Sequence, residues 1–403
     1  MTTAPLKDAP ADPAMLDVED LSIAVRGGDR IKPILASVSL SCARGEIVGL
    51  VGESGSGKSM TLRTAVGLTP AKAEVAGRVR VLGRDMLGAS RKELTEVRSR
   101  TASMIFQDPR AHINAFQRVG TFLAEGLRIH RGLSKEAAAR RAGGLLEEVG
   151  LPDPARHLRQ YPHEMSGGML QRVMIAAALA SEPDLLLADE PTTALDVTTQ
   201  AEIMSILLRL RRERGLSIVL VTHDLDLAVS VCDRIHVMYA GSVVEAATAA
   251  DLARAPRHPY TAALFAARPA PGRAELRAVP GRPLGLYEAG AGCAFAPRCP
   301  RAADVCRETA PVAEHSGGRR VACHLATGDD PGRPDGTHGS GDGPAHSTGT
   351  DGSGDGPARA DGPSGDRADR PAHGPGTGPS GDRADRSGDR ADRSGMFTKG
   401  ERP

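Results

Sequence analysis

Apolar residues along this chain gather in short unbroken runs, each closed by a polar turn, and they do not alternate with polar ones. Ile47-Val48-Gly49-Leu50-Val51 leads straight into Gly52, and Leu185-Leu186-Leu187-Ala188 leads into Asp189-Glu190 with Pro191 behind. Ser217 to Val221 is a third such run, ahead of Thr222-His223. Runs this short and this apolar predict strands buried on both faces. Helical periodicity lies between them. Ser134 is placed to cap a helix reaching Val149, with Ala137, Leu145, Leu146 and Val149 on one apolar face. Met60 to Leu68 and Val173 to Ala180 predict two more helices. Strands alternating with helices define an α/β core. The first stretch, with a hairpin near Arg26 to Arg30, adds a small antiparallel sheet beside it.

The candidate chemistry sits where the runs end. Gly52-Glu53-Ser54-Gly55-Ser56-Gly57-Lys58-Ser59 has the spacing G-x-x-x-x-G-K-S, with a strand before it and a helix after it. That is a P-loop: the glycines let the backbone curl so that its N–H groups face phosphate oxygens. Lys58 supplies a point charge at the β/γ-phosphates, and the Ser59 hydroxyl is placed to ligate Mg²⁺. The chain holds 47 glycines, so a glycine-rich turn can arise from composition alone; the flanking strand and helix argue against that here. Asp189 closes a buried run and suits a Mg²⁺ partner held through water, while Glu190 faces another way and suits a general base. A solvated turn accounts poorly for two acids that close a run of leucines. Ser166-Gly167-Gly168, just ahead of a helix, forms a second cradle of amides. One nucleotide needs one cradle, so a second points to a site shared between two chains.

With these residues in place, residues 16 to about 325 resemble an ATP-binding subunit of the oligopeptide/dipeptide family of ABC importers. Gly52 to Ser59, with Met60 behind it, is similar to the Walker A motif, and Leu185 to Glu190 to Walker B. Phe106-Gln107-Asp108-Pro109 resembles the Q-loop, where Gln107 would contact Mg²⁺ and the attacking water. Ser166 to Gln171 resembles the signature motif, Ala194-Leu195-Asp196 the D-loop, and His223 the switch histidine that would contact the γ-phosphate. Tyr161-Pro162-His163-Glu164, Val173-Met174-Ile175-Ala176, His258-Pro259-Tyr260-Thr261 and Gly292 to Pro300 narrow the resemblance to this branch. There are departures. The family usually stacks an aromatic ring on adenine at the end of the first strand, and Val25 stands there. Met165 replaces a leucine, Leu170 stands where arginine is common, and Ala115 replaces a proline.

The resemblance implies a P-loop ABC ATPase core with an antiparallel β subdomain and a helical subdomain, using ATP and Mg²⁺. It implies head-to-tail closure with a second ABC ATPase subunit, usually a paralogue. It also implies two integral membrane permeases, an extracytoplasmic solute-binding protein, and a place on the cytoplasmic face of the membrane. The expected layout is a flexible N-terminus over 1–15, the ATPase domain over 16–270 with its helical subdomain at about 108–165, a four-cysteine domain over 271–327, and a disordered tail over 328–403. The last of these is rich in Gly, Asp, Arg, Pro and Ser and repeats Ser-Gly-Asp-Arg-Ala-Asp-Arg from Ser364, Ser380 and Ser387, too polar to offset backbone ordering.

Composition narrows the alternatives. With 51 basic and 50 acidic side chains the net charge is +1, and aromatics make up 2%, so neither a cationic field nor a base-stacking surface for nucleic acid is expected. A soluble ABC ATPase acting on nucleic acid or ribosomes would add a second cassette, a coiled-coil insertion or a basic arm. No apolar stretch approaches a membrane span, and residues 1–16 lack the apolar core of a secretory signal, which predicts a cytoplasmic chain. Of six cysteines, Cys42 and Cys232 stand alone in apolar surroundings and read as buried thiols. Cys293, Cys299, Cys306 and Cys323 follow C-x5-C-x6-C-x16-C, which lacks the C-x2-C of a zinc ribbon or ferredoxin. A short segment with little apolar sequence needs a staple. The resemblance adds that some family members are taken to hold a [4Fe-4S] cluster here. Zinc, with His315 and His324 as spare ligands, and free thiols stay open beside it.

Overall fold

The computed structural model describes residues 14–27, 30–193, 195–268 and 278–326. The repeats of the tail, most of residues 1–15, the tip of the first hairpin, and Ala194 lie outside the described residues. Met15, assigned from sequence to the N-terminal lead, is buried and donates its backbone N–H to the Cys42 carbonyl at 2.8 Å.

Among the described residues twelve strands form two sheets. The smaller is antiparallel, in the order β2-β1-β4-β5, from β1 (Leu16–Gly27), β2 (Arg30–Cys42), β4 (Ala73–Val81) and β5 (Arg84–Asp85). Gly27 opposite Arg30 closes the expected hairpin. The larger has eight strands in the order β11-β12-β10-β9-β3-β8-β7-β6. Its parallel part is β3 (Ile47–Val51), β6 (Ala102–Ile105), β7 (Leu185–Asp189), β8 (Ser217–Thr222) and β9 (Arg234–Tyr239). Every residue of β3, β7 and β8 is buried. This is why these runs read as continuous rather than alternating. Each leucine so enclosed contributes about 1.5–3 kcal/mol of transfer free energy.

Helices frame the sheet. Gly167–Leu179 carries a buried face from Leu170 to Leu179, and Lys135–Glu148 packs Ala138, Ala142, Leu145 and Leu146 into the same core. Ser134 caps the latter as expected, accepting from the Ala137 N–H at 3.2 Å. Ala138, not Ala137, takes the buried position. The helix behind the P-loop runs Lys58–Ala65, starting and ending earlier than its apolar pattern suggested.

The cysteine-bearing segment is joined to the large sheet. β12 (Arg319–Val321) pairs antiparallel with β10 (Ser242–Thr248), and β11 (Glu314–Ser316) adds outside it. Phe295 stacks into an aromatic group with Tyr239 and Tyr260 at centroid separations of 4.7–5.3 Å. Among the described residues no helix is long and apolar enough to cross a membrane.

Candidate functional site

The P-loop hangs between β3 and the Lys58–Ala65 helix, and two of its glycines are obligatory. Gly52 has φ +151°, and a Cβ there would fall 2.2 Å from the Met238 carbonyl oxygen; at Gly57, φ +103°, it would fall 2.4 Å from Leu35 Cδ2. Lys58 is buried and its Nζ donates to the carbonyls of Gly52 at 2.8 Å and Glu53 at 2.9 Å. Burial holds its pKa below the ordinary lysine value, partly opposed by Glu190 and Asp189. An ammonium pulled back on its own loop is ready to be drawn out by phosphate.

Ser59 Oγ donates to Asp189 Oδ1 at 2.7 Å across the end of β7. Asp189 is fully buried, and burial raises its pKa. Among the described residues its second oxygen, Oδ2, accepts no hydrogen bond, and the Arg63 guanidinium stands 3.8 Å away. An orphaned carboxylate oxygen beside a serine hydroxyl is an oxygen donor set that fits Mg²⁺.

Glu190 is the point on which the remaining groups converge. Gln107 Nε2 donates to Glu190 Oε2 at 2.9 Å, Thr193 Oγ1 donates to the same oxygen at 2.8 Å, and His223 Nδ1 lies 3.7 Å away. The Glu190 backbone has φ +49°, a left-handed turn that swings its side chain away from that of Asp189. Three segments far apart in sequence thus meet at one carboxylate. Thr193 and Arg63 were absent from the sequence reading; a hydroxyl three residues after an acid carries no signal of its own.

The second cradle is built differently. Ser166 caps the Gly167–Leu179 helix, its Oγ accepting from the Met169 N–H at 3.3 Å, and Ser166 and Gly167 are exposed. Gly168 packs so closely on Thr199 that a Cβ would fall 2.8 Å from its Cγ2. Asp196 caps the helix Val197–Arg214 through Thr199. Gln171, expected at the nucleotide, is only 3% exposed, and among the described residues its Nε2 has no partner. Among the described residues none of the hydrogen bonds of Ser166 reaches the P-loop.

Glu53 belongs to the P-loop by sequence but turns away from it. It forms a two-pronged ion pair with Arg298, at 2.6 and 3.0 Å, and its N–H donates to the Tyr260 hydroxyl at 3.0 Å. Arg298 is 4% exposed at the side chain and also donates to the Pro280 carbonyl. His258 caps the helix Pro259–Ala266, accepting from the Tyr260 N–H through Nδ1 at 3.0 Å. The His258-Pro259-Tyr260-Thr261 stretch therefore buttresses the phosphate loop.

Cys42 and Cys232 are buried thiols, as expected, with pKa values pushed up to about 12 by burial. Cys293, Cys299 and Cys306 line one cleft of about 580 Å³, and Cys323 lies within electrostatic reach of all three. Burial raises the pKa of Cys293, Cys299 and Cys323. The expected metal centre is not supported by this geometry. Among the described residues no group of three or more His, Cys, Asp or Glu stands at metal-holding separations. His324 bonds the Thr309 carbonyl at 2.9 Å, and His315 lines a different cleft.

A P-loop lysine, a buried Walker-type aspartate and a converged glutamate on this sheet define an ATPase of the ABC cassette class. Comparison with known proteins agrees. The profile described as ABC transporter matches residues 35–193, and that described as oligopeptide/dipeptide transporter, C-terminal region, matches 244–306. The chain is 44% identical over 316 residues to the dipeptide transport ATP-binding protein DppD of Haemophilus influenzae, covering 77% of this chain and 95% of that one. It is 43% identical over 324 residues to the oligopeptide transport ATP-binding protein OppD of Escherichia coli, covering 80% and 96%. Among solved structures, the dimeric bacterial ABC transporter cassette MJ0796 superposes with a TM-score of 0.54 at 32% identity, covering 58% of this chain and 99% of that one. The chain belongs to the ATP-binding subunits of the oligopeptide/dipeptide ABC transporter family. It is an ATP-hydrolysing transporter subunit that works with ATP and Mg²⁺.

Proposed function

We propose that this subunit powers import of di- or oligopeptides from the cytoplasmic face of the membrane. Its partners in this reading are a second, paralogous ATPase subunit, two integral membrane permeases and an extracytoplasmic solute-binding protein. The relatives' transport of dipeptides and oligopeptides supports the substrate class. The convergence of Gln107, Thr193 and His223 on Glu190 supports the chemistry most directly.

Residues Gly52 to Met60 wrap the phosphates, with Lys58 leaving its loop carbonyls for them. Ser59, Asp189 and Gln107 would hold Mg²⁺, which would supply positive charge against the phosphoryl oxygens. Glu190 accepts a proton from the attacking water, and Gln107 and His223 orient that water and the γ-phosphate. Ser166, Gly167 and Gly168 act on the nucleotide held by the partner subunit, with Asp196 shaping the adjoining turn and Gln171 supporting the helix from within. The domain limits given above, 16–270 for the ATPase and 271–327 for the cysteine-bearing part, belong to the same reading.

The decisive experiment reconstitutes the subunit with its permeases in vesicles. Peptide-stimulated ATP hydrolysis coupled to peptide uptake is expected, and hydrolysis without uptake of any peptide would overturn the substrate class. We also infer that Cys293, Cys299, Cys306 and Cys323 bind a metal centre, a [4Fe-4S] cluster ahead of zinc. Three of the four line one cleft with Cys323 in electrostatic reach, which supports it; the thiols would have to draw together from separations that hold no metal among the described residues. Anaerobic purification should give brown protein with about four irons per chain. Colourless protein with one zinc would move the site to zinc, and absence of both metals would leave four thiols.

A further inference from the structure

Phosphate is well provided for in this chain, whereas the base of the nucleotide has no evident floor at Val25, where an aromatic ring would be expected. A purine in water gains most from a flat π surface. Aromatic residues are few here: four Tyr, six Phe and no Trp. Among the described residues only Phe116 and Tyr287 are large aromatics that stand mostly exposed. Tyr287, 61% exposed, is the one whose surroundings lead back to the P-loop.

The path is short and continuous. In the β1–β2 ladder Val25 lies opposite Lys32. The Lys32 ammonium sits over the Tyr287 ring, 5.8 Å from its centroid. Leu286, the preceding residue, packs against Gly241 so tightly that a Cβ there would come 3.0 Å from Leu286 Cδ2. Gly241 in turn donates its N–H to the carbonyl of P-loop Ser56 at 3.0 Å, and its Cα lies 3.6 Å from the Cβ position of Gly57. The turn holding Tyr287 is fixed rather than loose. Glu288 accepts the Gly285 N–H at 2.9 Å and pairs with both terminal nitrogens of Arg282, at 3.1 and 2.6 Å. A half-open aromatic ring is thus held beside the mouth of the phosphate site, next to the strand position that lacks a ring.

We infer that Tyr287, supplied by the segment after the ATPase core, is the stacking platform for the adenine of ATP, with Lys32 behind it as a cationic backing. The base lies on the open part of the ring, and the phosphates reach into the P-loop. Nucleotide binding then draws residues 282–288 and the P-loop together. The inference rests on the ATPase reading and specifies which residue holds the base.

The test uses the full chain and two ligands, ATP and inorganic tripolyphosphate, which has the phosphates without the base. Wild-type protein that binds neither would speak against the ATPase reading itself. Given wild-type ATP binding, Tyr287→Ala is expected to weaken ATP by roughly 5- to 100-fold while leaving tripolyphosphate affinity unchanged, the range set by one base–aromatic stack. Tyr287→Phe keeps the ring and should bind ATP as the wild type does. Adding Val25→Tyr to the Tyr287→Ala chain should recover affinity by placing a ring on the neighbouring strand. Unchanged ATP affinity in Tyr287→Ala overturns the inference, and so does an equal loss for ATP and tripolyphosphate, which would mark a merely structural role.

Discussion

Two phosphate cradles in this chain are finished to different degrees. The P-loop is closed: its lysine is folded in, its serine bonds a buried aspartate, and its Glu53 is clasped by Arg298. The Ser166-Gly167-Gly168 turn is open, with two exposed residues at a helix start and no phosphate-side partner in its own chain among the described residues. A finished cradle can bind nucleotide alone, whereas an open one waits for a nucleotide carried by something else. The difference is what the proposed shared site requires, with one half of each of two sites in one chain.

The sharpest way to break this contrast is at the finished end. Glu190→Gln should retain ATP binding and slow turnover in the assembled transporter by roughly two to four powers of ten, the usual cost of a lost general base. Steady-state phosphate release measures it, and near-normal turnover would remove Glu190 from the chemistry.

Next in size is the clasp. Arg298→Ala leaves Glu53 partly buried without its partner, a change that costs about 3–5 kcal/mol in a well-buried pair and somewhat less here, where Glu53 is 22% exposed. Amide exchange should accelerate over residues 278–300 and in the P-loop together. Acceleration of one without the other would uncouple them.

Acid should act on the same region more mildly. Burial lowers the His258 pKa to about 4, against an ordinary 6.5, so the folded state prefers the neutral ring. Its stabilisation is complete above pH 6.5 and is lost as pH falls from there toward 4, by at most about 3 kcal/mol. His236, lowered by burial to about 3, adds in the same direction. Urea midpoints between pH 7 and pH 4.5 should therefore decline, and less so in His258→Asn, whose side-chain oxygen can still cap the helix. An equal decline in both proteins would place the sensitivity elsewhere.

The smallest expected effect is the most telling. Ser166→Arg should leave the isolated chain's ATP affinity unchanged while abolishing nucleotide-driven pairing with the partner subunit, as read by light scattering. Loss of ATP affinity in the isolated variant would show that the open cradle serves its own chain after all.

Much of this was legible in the sequence because the site's signals are local. G-x-x-x-x-G-K-S and the Leu-Leu-Leu-Ala-Asp-Glu run each state strand, turn and chemistry within a few neighbouring residues, and the structure puts Ser59 against Asp189 accordingly. What stayed hidden was long-range or a matter of phase. Nothing near Glu53 announces Arg298, and nothing near β10 announces that β12 will extend the sheet. Ala137 and Ala138 sit side by side in an alanine run, so periodicity could not choose which one turns inward. Gln171, expected to face nucleotide, is buried on a helix that is apolar almost all round. The cysteine spacing carried no metal signature of its own; the metal expectation came from the small segment and the resemblance. The fold brings the four thiols near one another without metal-holding separations among the described residues.

The Glu53–Arg298 pair also sets an order of events at the ribosome. Its partners are 245 residues apart, so at synthesis rates of roughly 5–20 residues per second the phosphate loop emerges roughly 10–50 seconds before its clasp. During that interval the nascent loop has its glycines and lysine but lacks the contact that holds Glu53 away from the pocket. Glu190 and His223 arrive before Arg298, so the clasp is among the last of these contacts to be translated. A chain cut short after His223 would carry the P-loop, Asp189, Glu190 and His223 and still lack the Arg298 clasp on Glu53.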